Sequence, residues 1–278
     1  MAVPVRIVDP LDAEGLGGLR LERVDYPYEL TNGGLPGKRV IHKFGRAVVG
    51  TSFAPVCLGG VRPMPQPAAA TQLRVKAGDT NDTAAGSGAR EVTLLFLDQT
   101  GRPIMETLPT NGTSASGATQ NKAIRLDRWW ISLSGTYATA ANMASHADDV
   151  VIENAAGGTD WATIESLSGT FPHGQSEIAA YAIPAGKKAS IKNIHVWVDA
   201  AKSSDILLMQ RQCILDAAAP YQAFRLVVAA HGVIAPFSFG LDAPLGPFPP
   251  LTDLCFFAKV GASTGDVTVD FEIHEEDI

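Results

Sequence analysis

Gly261-Ala262-Ser263-Thr264-Gly265 has the G-x-S-x-G spacing of a hydrolase nucleophile turn. That chemistry requires a strand, a strained turn and then a helix whose N-terminus helps to form the oxyanion hole. Here Asp266-Val267-Thr268-Val269 follows, an alternating strand pattern, so Ser263 reads as part of a hairpin loop. The histidines His42, His146, His173, His195, His231 and His274 stand at no metal-ligand spacing, and neither HExxH nor HxH occurs. Cys57, Cys213 and Cys255 form no CxxC pair and read as buried small hydrophobes, suited to a reducing compartment. Gly37-Lys38 and Gly186-Lys187 are followed by Arg39 and Lys188 rather than Ser or Thr, so neither starts a phosphate-cradling loop. Asp148-Asp149, Asp160 and His274-Glu275-Glu276-Asp277 carry oxygen donors of the kind hard cations take, but read as solvated acidic segments. Asn81 and Asn111 open N-x-[ST] triplets that read as turn composition. The expectation is a protein without catalytic residues, metal or cofactor, and not an enzyme.

Recognition chemistry is better represented. Trp129-Trp130 sits where one indole faces a core and the other points outward as an interface anchor, which makes Trp130 a candidate. Trp161, Trp197 and Tyr221 are candidates for stacking on a sugar ring or a partner, against the alternative of plain core packing. His195, with Asn193 and Trp197, falls on the outer face of a predicted strand and would form a polar and aromatic patch there. Lys38, Arg39, His42, Lys43, Phe44 and Arg46 form a positive stretch with one aromatic, on a chain carrying 22 basic and 29 acidic side chains and a net charge of −7. Such a stretch suits docking on an acidic neighbour; the alternative is a solvated loop.

The elements that must position these residues are strands. Glycine (27) and proline (18) are spread along the chain, and between them apolar residues recur at every second position. Val92, Leu94 and Phe96 share one face, as do Val267, Val269, Phe271 and Ile273, with Asp266, Thr268, Asp270, Glu272 and His274 opposite. Two strands change phase within themselves. Ile124 and Leu126 give way to Trp129, Ile131 and Leu133, and Ala189 and Ile191 give way to Ile194, Val196 and Val198, so β-bulges are predicted near Arg128 and near Lys192-Asn193. Helix-period windows are few, and Leu11 to Arg23 is broken by Gly15, Gly17 and Gly18.

The predicted fold is all-β: an extended N-terminal arm over residues 1–66, then two antiparallel, jelly-roll-like β-sandwich domains over residues 67–170 and 171–278. The arm is punctuated by Tyr26-Pro27-Tyr28, Leu35-Pro36-Gly37 and Val61-Arg62-Pro63-Met64-Pro65-Gln66-Pro67, where proline withholds ladder donors. Gly78 to Gly88 is expected to be a long polar hairpin tip. With 46% hydrophobic and 18% charged residues the chain can bury a sizeable core, and its acidity excludes a tightly nucleic-acid-binding basic protein. No run reaches the roughly 18–20 apolar residues of a membrane span, and Met1-Ala2-Val3-Pro4-Val5-Arg6 lacks a signal-peptide core, so a protein working in solution is expected.

Several stretches taken in order resemble the virion structural proteins of tailed bacteriophages. They are Ile41-His42-Lys43-Phe44-Gly45-Arg46, Pro67-Ala68-Ala69-Ala70-Thr71, Asn81 to Arg90, Tyr181-Ala182-Ile183-Pro184-Ala185-Gly186-Lys187, and Pro244 to Asp253. The resemblance departs at Val56-Cys57-Leu58-Gly59-Gly60, where such proteins carry a tryptophan-acidic-glycine-glycine run. It implies a non-enzymatic virion component assembled in the host cytoplasm. Its arm and sheet edges would join a symmetric homo-oligomer associated with the tail or neck. Its partners would be further copies of itself and the tail, neck or major capsid protein, with neither nucleic acid nor membrane. A capsid decoration (cement) protein is the alternative, and a host-receptor or glycan-binding module is the alternative of another class.

Overall fold

The computed structural model describes residues 5–8, 20–23, 26–138, 144–166, 174–199, 202–239 and 243–278. Among them run eighteen strands, every pairing antiparallel. In chain order they are β1 (Val5–Val8), β2 (Arg20–Arg23), β3 (Lys38–Val49), β4 (Ala54–Pro55), β5 (Leu73–Ala77) and β6 (Ala89–Asp98). Next come β7 (Pro103–Pro109), β8 (Ala123–Ser134), β9 (Val150–Asn154), β10 (Asp160–Ile164), β11 (Ala180–Ala182) and β12 (Lys187–Val198). The last are β13 (Ser204–Arg211), β14 (Arg225–Val233), β15 (Phe237–Phe239), β16 (Leu245–Phe248), β17 (Asp253–Val260) and β18 (Gly265–Asp277). One short helix, α1 (Tyr26–Thr31), and one 3-10 turn at Leu58–Gly60 complete the described structure.

Two five-stranded sheets face each other. In one, β3, β18 and β12 lie side by side, and β15 and β16 share the outer edge of β12. In the other the order is β17, β13, β14, with β11 and β4 following one another along the free edge of β17. Their core holds Val267, Val269, Phe271 and Ile273 of β18, the face expected from alternation, against Leu254, Phe256 and Ala258 of β17. Each such large side chain stabilises the fold by roughly 1.5–3 kcal/mol on burial.

Two three-stranded sheets, β7-β6-β8 and β10-β9-β5, enclose a second core with Val92, Leu94, Phe96, Leu126, Trp129 and Ile152. Cys57, Ile178, Ala180 and Cys255 belong to this second core, although β17 and β11 are strands of a five-stranded sheet. Successive residues of β17 therefore serve opposite cores, Leu254 and Phe256 one and Cys255 the other. That strand is buried on both faces, which explains its nearly continuous apolar sequence Leu254-Cys255-Phe256-Phe257-Ala258.

The expectation of an extended arm to residue 66 is corrected. β3 pairs with β18 along its whole length, from Lys38 opposite Glu276 to Val49 opposite Gly265. Ala47 and Val49 enter the first core and β4 pairs with β17. The physical reason is that β18, with an apolar face to bury, would otherwise keep an open edge, and β3 supplies both ladder partners and apolar side chains. Residues 1–4, 9–19 and 24–25 of the expected arm, with Gly15, Gly17 and Gly18, lie outside the described residues.

Both phase changes are bulges. Between β6 and β8 the register passes from Leu95 opposite Arg128 to Phe96 opposite Leu126, which leaves Asp127 as the extra residue. Between β12 and β18 it passes from Ile191 opposite Ile273 to Asn193 opposite Glu272, which leaves Lys192. The segment expected as a polar hairpin tip is instead folded around the buried Asp82, whose carboxylate accepts from Ala89 N at 2.7 Å, Ala147 N at 3.0 Å and Asp148 N at 3.2 Å. Backbone N–H groups that no ladder pairs are satisfied there by one carboxylate.

Candidate functional site

The bulge in β8 does more than bend a strand. Leu126 and Trp129, three positions apart, both reach the second core, and the extra residue Asp127 is turned the other way into the junction between the two cores. There Asp127 Oδ1 accepts from Arg62 Nη2 at 3.2 Å and from Ala182 N at 3.0 Å. Lys43 Nζ donates to the Asp127 carbonyl, and Arg62 donates to the Leu126 carbonyl. All three charged side chains are buried. Burial raises the Asp127 carboxyl against the opposing pull of Arg62 and Lys43. Burial likewise lowers the Lys43 ammonium to about 7, with Asp127 resisting and Arg128 and Arg62 adding to the fall.

A second buried set lies beside it. Arg125, wholly enclosed, donates from Nε to Asp253 Oδ1 at 2.8 Å and from Nη2 to Asp253 Oδ2 at 3.0 Å. Arg211 Nη2 reaches the same Oδ2 at 2.8 Å. Burial alone would raise the Asp253 carboxyl, but Arg125 and Arg211 outweigh it and hold it below the ordinary value. The remaining donors answer a need of the proline-rich linker: Arg125 Nη2 gives to Pro65 O at 3.1 Å and Arg211 Nη2 to Met64 O at 2.7 Å. Those carbonyls lie in no named strand, and the arginines satisfy them from the side.

Between β3, β6, β8 and β11 the structure leaves a cleft of about 110 Å3. Arg39, Ile41 and Lys43, two residues apart along β3, line one wall. Asp127, Arg128 and Tyr181 close it opposite, with Leu95, Leu97, Pro103 and Pro184 as apolar surface. Tyr181 Oη donates to Glu275, which also accepts from Arg39 Nε at 2.8 Å. Burial and then Glu275 push the Tyr181 hydroxyl well above its ordinary value, so it remains a donor. Arg128 has a different partner, the carbonyl of His42 at 2.5 Å from Nη2.

No protein-family model matches the chain, and no curated protein is similar enough to count as a relative. Three structures of infectious bursal disease virus are among the solved structures with a faint likeness to the chain. A structure of the Gx strain shares 8% identity at a TM-score of 0.24, covering 85% of this chain and 70% of that one. The virus-derived T=1 particles share 11% at 0.21, with 86% and 73% covered, and the VP2 subviral particle shares 10% at 0.19, with 92% and 83% covered. At these values the likeness identifies neither a family nor an activity.

The basic stretch lies in a paired strand, not in a free arm. Alternation along β3 sends Lys38, His42, Phe44 and Arg46 to one face and Arg39 and Lys43 to the other. On the outer face Lys38 pairs with Glu276 at 2.9 Å, His42 with Asp270 at 2.5 Å and Arg46 with Asp266 at 2.9 Å. Thus the acidic neighbour foreseen from charge is the chain's own last strand, by direct and diagonal cross-strand contacts. The acidic end is occupied in the same way, with Lys187 on Asp277 and Lys188 on Glu276 at 2.6 Å.

Trp161 is 4% exposed and lies in the second core, so it offers no binding surface. Trp129 is buried and Trp130 is half-buried, bridging to Gln175. Trp197 is 43% exposed, with its ring centroid 6.1 Å from that of His195, whose Nδ1 lies 2.8 Å from Ser238 Oγ. Cys57 and Cys255 are buried, whereas Cys213 is exposed in a turn at φ 55°, a correction to the reading of all three as buried. Ser263 lies in the β17-β18 connection with a strand, not a helix, after it. Among the described residues no three His, Cys, Asp or Glu side chains converge as a metal site requires.

Asp127, Arg62, Arg125, Arg211 and Asp253 were not singled out by sequence as site residues. The usable signal was Arg125 and Asp127 inside Ala123-Ile124-Arg125-Leu126-Asp127, charges set in a run too apolar for a solvent-facing strand.

Proposed function

We propose that the chain is a non-enzymatic structural component of a virus particle, joined to further copies of itself through open sheet edges. The observation that supports this reading is β14. It is nine residues long, pairs with β13 on one side, and has no strand on its other side among the described residues. Lysine, proline and brevity are among the features that blunt natural sheet edges, and Arg225-Leu226-Val227-Val228-Ala229-Ala230-His231-Gly232-Val233 has none of these, although Arg225 and two register shifts against β13 interrupt it. Leu226 is 56% exposed, Ile234 just past the strand 62%, and Phe237 on the adjoining β15 39%. An open edge of this length with exposed apolar side chains suits strand addition by a neighbouring subunit.

The finer assignment rests on the sequence stretches that resemble tailed-phage proteins. On that ground the particle is a tailed bacteriophage and the place a tail or neck ring, with a capsid-surface cement role as the alternative. The partners are then other copies and the tail, neck or major capsid protein, and the site of action is the virion. Sedimentation across a concentration series tests the self-association. We expect a discrete oligomer that Leu226→Lys with Ile234→Lys reduces to monomer while the circular dichroism spectrum is kept. A wild-type protein that stays monomeric at the highest concentration, or is absent by mass spectrometry from purified particles, overturns the proposal.

A second reading, glycan or receptor binding, is favoured by one residue. Trp197 offers an exposed indole beside His195. A glycan array probed with wild type and Trp197→Ala decides it, since unchanged or absent binding removes this reading.

A further inference from the structure

We propose that the cleft between β3 and β8 is a binding site for a compact monocarboxylate. Its charged head would meet Arg128 and Lys43, and its short aliphatic tail would lie on Ile41, Leu95 and Leu97. This goes beyond the assembly reading and does not depend on it.

Charge imbalance is the first argument. Asp127 serves both Lys43 and Arg62, and Glu275 serves Arg39. Arg128 has a carbonyl and, among the described residues, no carboxylate within ion-pair distance. The lining of this one small cleft thus holds three basic side chains, Arg39, Lys43 and Arg128, and one carboxylate, Asp127, on a chain whose net charge is −7. Charges drawn partly out of water gain from a partner of opposite sign, and the half-buried Arg128 has only a carbonyl.

The shape of the cleft narrows the ligand. A volume of about 110 Å3 suits a group of a few heavy atoms better than a whole nucleotide. Lys43 is 3% exposed and lies deep, whereas the Arg39 side chain is 51% exposed and marks the mouth. Guanidinium groups match a planar carboxylate through paired N–H donors. The wall between the cations is aliphatic, which a bare inorganic anion would leave in contact with water or void. Both Lys43 and Arg128 are held below their ordinary pKa, first of all by burial, so a bound anion would relieve a desolvation cost that the protein alone leaves uncompensated.

Butyrate is the probe, followed by thermal unfolding and by isothermal titration calorimetry at constant ionic strength, with chloride, acetate and inorganic phosphate as comparisons. We expect saturable binding of butyrate with a Kd in the millimolar range, as so few atoms allow. Acetate should bind more weakly for want of the tail, and chloride should give no shift. Arg128→Gln should weaken butyrate at least about tenfold, the usual effect of losing one charge-assisted hydrogen bond. Pro103→Glu, at the exposed rim, supplies a second variant that leaves the buried network intact and should weaken it similarly by repulsion. Butyrate indistinguishable from chloride, phosphate binding without butyrate binding, or equal butyrate affinity in wild type and both variants overturns the proposal.

Discussion

Gly45 of β3 and Ala179, just ahead of β11, bring the two five-stranded sheets together backbone against backbone. A methyl group on Gly45 would overlap the Ala179 nitrogen and lie 2.7 Å from both Ala179 Cβ and the Ile178 carbonyl carbon. Those atoms belong to the main chain that carries Ala179 N to Val56 O at 2.9 Å, so they cannot rotate aside. Gly45→Ala is expected to cost about 1–3 kcal/mol or more. Gly50→Ala, one residue past the same strand with open space around it, should stay within about 0.5 kcal/mol of wild type. Urea unfolding midpoints of the two variants check the pair, and equal midpoints would refute the close approach.

Asp253 balances two buried arginines, and its removal leaves both uncompensated. Asp253→Asn is expected to destabilise by about 3–5 kcal/mol, since breaking a buried pair costs more than the pair contributes. Its carboxyl is held below the ordinary value in the folded state. Its contribution is therefore fully present above the unfolded value, about pH 3.9, and is lost as pH falls through the lower folded value. Wild type should thus lose more stability on acidification than Asp253→Asn does, which chemical unfolding at pH 5 and at about pH 3 measures.

Asp82 holds the segment from Gly78 to Gly88 against Ala147 and Asp148. Asp82→Ala strands the buried Ala89 N–H and the part-buried N–H groups of Ala147 and Asp148, and should cost about 1–3 kcal/mol, the usual penalty for one unsatisfied buried group, with water reaching the other two. Amide hydrogen exchange should show faster exchange at Ala89 and Ala147 with β13 and β17 unchanged. Uniform loosening of the whole chain would contradict this local role.

Strand existence and the buried faces of β6 and β18 were legible because alternation depends on neighbours in sequence, as Val92-Leu94-Phe96 and Val267-Val269-Phe271-Ile273 illustrate. The two bulges were legible for the same reason, since a slipped phase is itself a local signal. Partnership was not. Lys38 to Arg46 reads as a sticky basic arm because nothing near it in sequence is acidic, yet its acids lie more than two hundred residues away on β18. The site was least legible of all: Arg62, Lys43, Asp127 and Asp253 come from four separate stretches, and only the folded junction brings them together. Trp161 and Trp197 show the same limit, because alternation alone does not say which face of a two-sheet layer a second layer will cover.

Lys43 supplies a test of the junction in solution. Its folded-state pKa is about 7 against an ordinary 10.5, chiefly through burial. Below about pH 7 both folded and unfolded chains bind the proton, and the cost of burying the ammonium is fully present. Between about 7 and 10.5 the unfolded chain keeps the proton while the folded chain has released it, so stability rises with pH, by at most about 1.4 kcal/mol per unit. Cys57, pushed up to about 12, and Cys255, also raised by burial, act in the opposite sense once unfolded thiols ionise near pH 8.5, so the comparison belongs below that. From about pH 7 to about pH 8.5, wild type should gain roughly 1 kcal/mol or more relative to Lys43→Met. Wild type and Lys43→Met differ at this one side chain, so the difference between their pH profiles reports on residue 43. Parallel profiles in urea unfolding would mean that the ammonium is solvated, and that Lys43 does not sit on the Asp127 carbonyl in solution.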